Sequence, residues 1–351
     1  MNSTAKIRVL VVDDSAIARR SITQALARDP AIEVVGVASD PYVARDRILA
    51  LRPDVLTLDL EMPRMDGLTF LKILQEHHPI PVVVISSATP AGSAMAMEAL
   101  AAGAVDVVGK PDGSQALGEV ARHLAQLVKA AARSQRWQGA PVAAEAQPAL
   151  HGGGVASAPG RVIVIGASTG GVEALRFVLP RLPADLPPIL VVQHIPPRFS
   201  RTMAQHLDEL CPFPVREAED GEEASWGTCL VAPGDFHMAL VKATGGYRVR
   251  LAQSPPVHHC RPAVDVLFRS AAEHAGQDAV AVLLTGMGVD GARGMLALRT
   301  LGARTLAQDE SSCVVFGMPQ AAIKLGAAEK VVPLHRMPQA IMHALTGRHP
   351  E

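Results

Sequence analysis

The chain has little that would mark it as secreted, membrane-spanning or nucleic-acid-binding. Its four cysteines, Cys211, Cys229, Cys260 and Cys313, are far apart and form no Cys-x-x-Cys pair. Neither a disulfide framework nor a zinc ribbon is indicated, and reduced thiols are the simpler reading. Charge of one sign is also missing: 33 Lys and Arg stand against 34 Asp and Glu. No net field draws the protein to nucleic acid or to an anionic membrane, which disfavours a basic DNA-binding output. No apolar stretch reaches membrane-spanning length. The N-terminal apolar run stops at Val12, before Asp13 and Asp14, too soon for a signal-peptide core. The expectation is a cytoplasmic protein with no nucleic-acid partner and no direct membrane insertion.

What is present is apolar material for two cores. Hydrophobic residues make up 48% of 351 residues and charged residues 19%, ample for globular folding and long enough for two domains. The first 130 or so residues alternate short β-rich runs with amphipathic stretches, the rhythm of a parallel sheet flanked by helices. Five βα units are expected, with strands at Ile7–Val12, Glu33–Ala38, Asp54–Leu58, Val82–Ile85 and Asp106–Val108, and a last helix over Leu117–Arg133. From Ser134 to Gly160 the pattern turns to Gln, Ala, Gly and Pro without a period, which reads as a linker. Buried-strand runs then resume at Arg161–Ile165, Ile189–Gln193, Thr228–Ala232 and Ala279–Leu284. The expected division is a first domain over 1–133, a linker over 134–160 and a second α/β domain over 161–347.

In an open parallel sheet the loops at the carboxyl ends of the strands meet in a crevice, so polar residues gathered at those ends suggest a site. Asp13 and Asp14 follow the first strand, Asp59 ends the third, Ser86 ends the fourth, and Lys110 with Pro111 follows the fifth. Carboxylates brought together repel one another and invite a hard divalent cation such as Mg2+. Asp59 is then a plausible phosphoryl acceptor, with the Lys110 ammonium and the Ser86 hydroxyl placed to grip the phosphoryl oxygens. Against this stands the reading that each aspartate merely caps a helix.

In the second domain, Gly166-Ala167-Ser168-Thr169-Gly170-Gly171 follows a strand and precedes the helical pattern Val172–Leu179. That is the context of a nucleophile elbow, in which a small-residue turn lets the serine hydroxyl stand exposed and backbone N–H groups can hold an oxyanion. A phosphate cradle is the competing reading, but Gly-x-Gly-x-x-Gly and Gly-Lys-Ser/Thr are both absent. His194 ends the next strand, on the same sheet edge, and is the candidate base. Asp290, in Thr285-Gly286-Met287-Gly288-Val289-Asp290-Gly291, is the favoured acid over Asp235 and Asp265. His206, His237, His258 and His259 are read as structural or surface residues. The order Ser, His, Asp differs from the Ser, Asp, His of ordinary α/β-hydrolases.

The run Asp59-Leu60-Glu61-Met62-Pro63-Arg64-Met65-Asp66-Gly67 with Lys110-Pro111 resembles the two-component receiver family. That resemblance implies a flavodoxin-like, doubly wound parallel sheet and phosphotransfer from a histidine kinase. It also implies a Mg2+ site of Asp13, Asp14, Asp59 and the Glu61 backbone carbonyl. Val107 stands where the family often has an aromatic switch residue. Over almost its whole length the chain resembles the chemotaxis protein-glutamate methylesterase family, CheB. The segments concerned are the Ser168 elbow, Gln193-His194, Ala232 to His237, Arg261-Pro262-Ala263-Val264-Asp265, Leu284 to Gly291 and Gln308 to Pro319. It departs from that family at Phe236 and at Ala263, where serine is common. The resemblance implies a mainly parallel α/β esterase domain that needs no cofactor, with Ser168 as nucleophile, His194 as base and Asp290 as orienting acid. Thr169 and the Met287 backbone would belong to the oxyanion site. The implied partners are chemoreceptor cytoplasmic domains and a chemotaxis histidine kinase, with glutamine deamidation as a second activity.

Three other outputs compete with this reading. A binding-only module would leave Ser168 a turn residue. A metal-dependent hydrolase would use His258, His259, Cys260 or Asp265, although adjacent histidines in a strand point to opposite faces. A DNA-binding output lacks any basic helix-turn-helix pattern. The two-domain layout suggests that the unphosphorylated receiver covers the serine cleft and that phosphorylation weakens the contact.

Overall fold

Strands buried on both faces read as unbroken apolar runs rather than alternating ones, and such runs make the two parallel sheets among the described residues. The computed structural model describes residues 5–87, 89–110, 117–134 and 160–346, which fall into two compact units. The expected linker lies, apart from its ends, outside the described residues, as does Pro111.

In the first unit the strands are β1 (Ile7–Val12), β2 (Ile32–Ala38), β3 (Val55–Asp59), β4 (Val82–Ser86) and β5 (Asp106–Gly109). The helices between and after them are α1 (Ala16–Leu26), α2 (Pro41–Leu51), α3 (Gly67–His77), α4 (Pro90–Ala101) and α5 (Leu117–Ser134). All strands run parallel in the order β2-β1-β3-β4-β5, the flavodoxin-like order. Expected and observed strands agree within a residue or so. The order reverses between β1 and β3, and there the loops carrying Asp13, Asp14 and Asp59 open.

Helix starts separate structural from chemical aspartates. Ser15, Asp40, Asp66 and Thr89 are the N-caps of α1 to α4, each accepting from a backbone N–H of the first turn. Asp13, Asp14 and Asp59 cap none of these helices, so the capping explanation does not account for them.

The second unit continues with β6 (Val162–Ala167), α6 (Gly171–Val178), β7 (Ile189–Gln193), α7 (Phe199–Leu210), β8 (Val215–Glu217) and β9 (Cys229–Val231). It goes on through β10 (His237–Ala243), β11 (Gly246–Ala252), α8 (Val264–His274), β12 (Ala279–Leu283) and α9 (Ala292–Thr300). It ends with β13 (Arg304–Gln308), α10 (Met318–Lys324), β14 (Lys330–Val332) and α11 (Met337–Thr346). Seven strands form a parallel sheet ordered β14-β13-β12-β6-β7-β9-β8, and β10 with β11 forms a separate antiparallel hairpin.

β6 sits mid-sheet between β12 and β7. The carboxyl ends of those three strands therefore deliver the Ser168, His194 and Asp290 loops to one place. α8 is anchored beside them by Leu267, Phe268 and Ala271, all fully buried with Met238 and Leu240 of β10. Burying Phe268 alone is worth roughly 1.5–3 kcal/mol, and that anchoring fixes where the N-terminus of α8 points.

The hairpin, the interior strand β13 and the short edge strands β8 and β14 are not forecast by the sequence pattern. β8 and β14 are three residues long, too short for a period to emerge. Among the described residues no helix is long and apolar enough to cross a membrane.

Candidate active site and phosphoacceptor site

The turn after β6 is held by its neighbours before any chemistry is considered. Ser168 N–H donates to Thr285 O at 3.0 Å, and Thr285 Oγ1 donates to Thr169 O at 3.0 Å. The left-handed backbone of the turn falls on Gly170, at φ 75°, where a Cβ would also lie 2.5 Å from Val314. Ser168 itself is buried, at 9% exposure, rather than standing exposed as expected from the elbow pattern; the Thr285–Gly288 turn walls it in. A Cβ on Gly286 would lie 2.7 Å from Ser168 Cβ, so the turn after β12 approaches the nucleophile closely only because that position is glycine. The Ser168 amide is engaged by Thr285 O; Thr169 and the Met287 backbone, which the family resemblance implies for the oxyanion site, lie on the two turns that meet here.

His194 joins the two other residues. Its Nδ1 lies 3.1 Å from Ser168 Oγ and its Nε2 2.8 Å from Asp290 Oδ2. The ring thus addresses serine through Nδ1 and carboxylate through Nε2, the reverse of the serine-protease arrangement, with the same logic of one nitrogen per partner. Asp290 is 2% exposed. Its Oδ2 accepts Val264 N–H at 2.7 Å, and its Oδ1 accepts the N–H of Asp265 and of Gly291, both at 2.9 Å. Two of these amides open α8, so the helix end favours the anion. Burial alone would raise the Asp290 carboxyl, but the His194 hydrogen bond and charge and the helix amides outweigh it and hold it below the ordinary 3.8.

His194 is pulled both ways. Burial lowers it, while Cys260 beside Nδ1 and then the Asp290 hydrogen bond raise it, with a net lift from 6.5 to about 10. Gln193, 2% exposed, donates from Nε2 to Ser168 O at 2.8 Å and to His194 O at 3.0 Å. The residue before the base therefore ties the backbones of base and nucleophile together.

The rival acids are occupied elsewhere. Asp235 pairs with Arg261 at 2.6 Å, and Asp265 with His258 at 3.0 Å while accepting Gly294 N–H at 2.7 Å. His258 and His259 are not in a strand as supposed. They occupy a left-handed turn with φ 51° and 63°, closed by mutual hydrogen bonds of Val257 and Cys260. His258, Asp265 and Asp290 approach one another, but their facing atoms are taken by one another, by His194 and by helix amides, which argues against a metal-hydrolase centre. His237 is buried and structural, with Nδ1 accepting Ala263 N–H at 3.2 Å. By sequence Cys260 is only a possible metal ligand. Its Sγ in fact lies 3.5 Å from His194 Nδ1, a contact across 66 residues of chain that no local pattern announces.

In the first unit, Asp13 and Asp59 are fully buried and their ligand atoms lie within 4.8 Å of one another and of Asp14. Burial, then the Asp59 charge, raises Asp13 above 3.8. Burial also raises Asp59, although Lys110 pulls it back. Lys110 Nζ lies 2.7 Å from Asp59 Oδ2 and 3.8 Å from Asp13 Oδ2. Asp13 Oδ2 is buried without a hydrogen-bond partner, and Glu61 N–H donates to Asp59 Oδ1 at 3.2 Å. An orphaned carboxylate oxygen among clustered acids fits a hard divalent cation. Ser86 is the exception in this set: its hydroxyl donates to Gly92 O at 2.9 Å, so it must rotate to reach a phosphoryl group on Asp59. Val107 is buried and offers no aromatic ring to swing.

Comparison with known proteins gives two family matches. The CheB methylesterase family matches residues 163–341 and the response regulator receiver domain family matches residues 9–122. A Syntrophus aciditrophicus protein named protein-glutamate methylesterase/protein-glutamine glutaminase 2 is 48% identical over 345 residues, 96% of this chain and 99% of that one. A Bradyrhizobium diazoefficiens protein named protein-glutamate methylesterase/protein-glutamine glutaminase of group 3 operon is 51% identical over 347 residues, 96% of each. Among solved structures, the Thermotoga maritima CheB methylesterase catalytic domain is 42% identical with a TM-score of 0.51, covering 52% of this chain and 98% of that one.

Proposed function

This chain belongs to the CheB methylesterase family, and we propose that it is the phosphorylation-regulated enzyme that hydrolyses glutamate methyl esters on chemoreceptors in chemotaxis adaptation. The single observation that carries the chemistry is the line of hydrogen-bond distances from Ser168 Oγ through His194 to Asp290, 3.1 Å and 2.8 Å.

The reaction runs in two halves. In the neutral ring Asp290 keeps the proton of His194 on Nε2, which leaves Nδ1 as the acceptor. As Ser168 Oγ attacks the side-chain ester carbonyl, Nδ1 takes its proton and the carbonyl oxygen gathers negative charge toward the Thr169 and Met287 amides. The tetrahedral adduct collapses, the C–O bond to the methoxy group breaks, and Nδ1 returns the proton so that methanol leaves. Water then attacks the acyl-serine with the same base, freeing a glutamate carboxylate and restoring Ser168. A glutamine side chain follows the same route with ammonia as leaving group, which is the glutaminase activity in the relatives' names.

The receiver supplies the control. Asp13, Asp14, Asp59 and the Glu61 carbonyl would hold a divalent cation, Mg2+ in our reading, whose chemistry would be to neutralise charge on phosphoryl oxygens at Asp59. Asp59 accepts the phosphoryl group from a chemotaxis histidine kinase, Lys110 stays paired with the charge, and Ser86 turns from Gly92 to meet it. The substrates are cytoplasmic domains of methyl-accepting receptors, which places the enzyme in the cytoplasm.

The test is methanol release from methylated chemoreceptor by the wild type and by Ser168→Ala, each with and without a small-molecule phosphodonor and Mg2+. Release that depends on Ser168 and rises on phosphorylation is expected. Release unaffected by Ser168→Ala would overturn the nucleophile assignment, and no release from any sample would turn the second domain toward binding or another ester.

A further inference from the structure

Three side chains converge on the His194 ring. Asp290 holds the proton on Nε2, so Nδ1 has one lone pair to offer. Two donors reach for it, Ser168 Oγ at 3.1 Å and Cys260 Sγ at 3.5 Å. The hydroxyl is the partner that ester chemistry needs. A thiol is a far stronger acid than an alkyl hydroxyl, so it is the stronger competitor for that lone pair.

The sulfur is held in place from both sides. The Val257–Cys260 turn is closed by hydrogen bonds of 2.9 Å and 3.1 Å. Before the thiol, His258 Nε2 meets Asp265 Oδ2 at 3.0 Å; after it, Arg261 is locked to Asp235 at 2.6 Å. Cys260 is half-buried among these anchors.

We infer that Cys260 is a positioning residue of the esterase site: its thiol competes with Ser168 for Nδ1 of His194 and so sets the pH at which the catalytic base becomes available. The inference rests on the reading of Ser168 as nucleophile and His194 as base. In the competing state the S–H bond breaks and an N–H bond forms at Nδ1, giving thiolate and imidazolium with no net change of atoms or charge. A ring protonated at Nδ1 cannot take the serine proton until that proton returns to the thiolate or passes to water. The Cys260 charge is the foremost influence lifting His194, ahead of Asp290.

Other charged groups around the ring are spoken for. Asp265 behind Asp290 is paired with His258 and lies 3.7 Å from Arg269, Arg261 is neutralised by Asp235, and burial lowers His237, which favours its neutral form. Of these charged or titratable groups, Cys260 and Asp290 are the ones in contact with the ring, and only Cys260 shares the serine's nitrogen.

The experiment is the rate of Ser168 labelling by a fluorophosphonate probe in the full-length wild type, Cys260→Ala and Cys260→Ser, from about pH 5 to about pH 10, with the His194 ring titration followed by NMR in the same samples. Both variants should move the acid limb down by about one pH unit or more, and labelling at neutral pH should rise up to about tenfold. Cys260→Ser keeps a polar group of similar size without the acidic proton, which separates acidity from packing. A ring titration and an acid limb that stay put in both variants would sink the inference while leaving the triad intact. A ring that shifts while wild-type Ser168 stays unlabelled would instead sink the nucleophile reading and keep the thiol coupling. Loss of labelling at every pH in both variants, with unchanged unfolding transitions, would make Cys260 a structural support and overturn the competition.

Discussion

Gln193 Nε2 donates to the carbonyl of Ser168 at 2.8 Å, so the strand that ends in the base also clamps the turn that carries the nucleophile. The same nitrogen reaches His194 O at 3.0 Å, and one buried amide thereby fixes the relative position of two catalytic backbones.

Gln193→Met keeps the volume and removes the donor. Two carbonyls are left without this partner, at a cost of about 1–3 kcal/mol each where they are shut off from water. The expected result is a lower thermal transition and a kcat for methanol release reduced about tenfold with KM little changed. A variant with wild-type kcat would show that the clamp does not position the pair.

Asp290→Asn puts an amide where the His194 Nε2 proton and three backbone N–H groups all need an acceptor. Methanol release should fall by about a thousandfold or more, through loss of the correct imidazole tautomer. The acid stability profile should change with it. Because folding lowers the Asp290 pKa, its contribution is present above the ordinary carboxylate value of 3.8 and lost as pH falls through the lower folded value. The wild type should therefore lose stability below about pH 4 more steeply than the Asn variant in chemical denaturation.

Asp13→Asn should act in the opposite direction in the receiver. Folding raises the Asp13 pKa through burial and the neighbouring Asp59 charge. The sign is reversed: the favourable protonated form is present below the ordinary value and lost as pH rises through the raised one. At neutral pH the buried charge is a net cost, so Asp13→Asn should raise the receiver's thermal transition by about 4 °C or more. The same variant should lose cation-dependent phosphorylation of Asp59. A transition that falls would mean that Asp13 stabilises the fold without a cation.

Removing residues 1–134 should raise basal methanol release if the unphosphorylated receiver covers the serine cleft. Activity that is unchanged or lower would rule out that form of control and leave activation by another route.

Much of this was legible before any coordinates. The unbroken apolar runs placed most of the central strands, because a parallel sheet buried on both faces leaves that trace locally. The strand-end positions of Asp13, Asp59, Lys110, Ser168 and His194 followed, since chain direction in such a sheet brings carboxyl ends to one edge. Sequence pattern alone no more than favours Asp290 over Asp235 and Asp265. Which carboxylate is free depends on partners such as Arg261 and His258, brought there by the hairpin and by α8.

By itself, then, the sequence determined the fold class, the two-unit layout and the residue types gathered at each sheet edge, all of which rest on short-range periodicity and on strand direction. Tertiary structure alone decided which nitrogen of His194 faces Ser168, where the Ser86 hydroxyl points and that Cys260 reaches the base. Those are distances of a few ångströms between residues far apart in the chain, and they are set by packing and side-chain rotation, which no local pattern encodes.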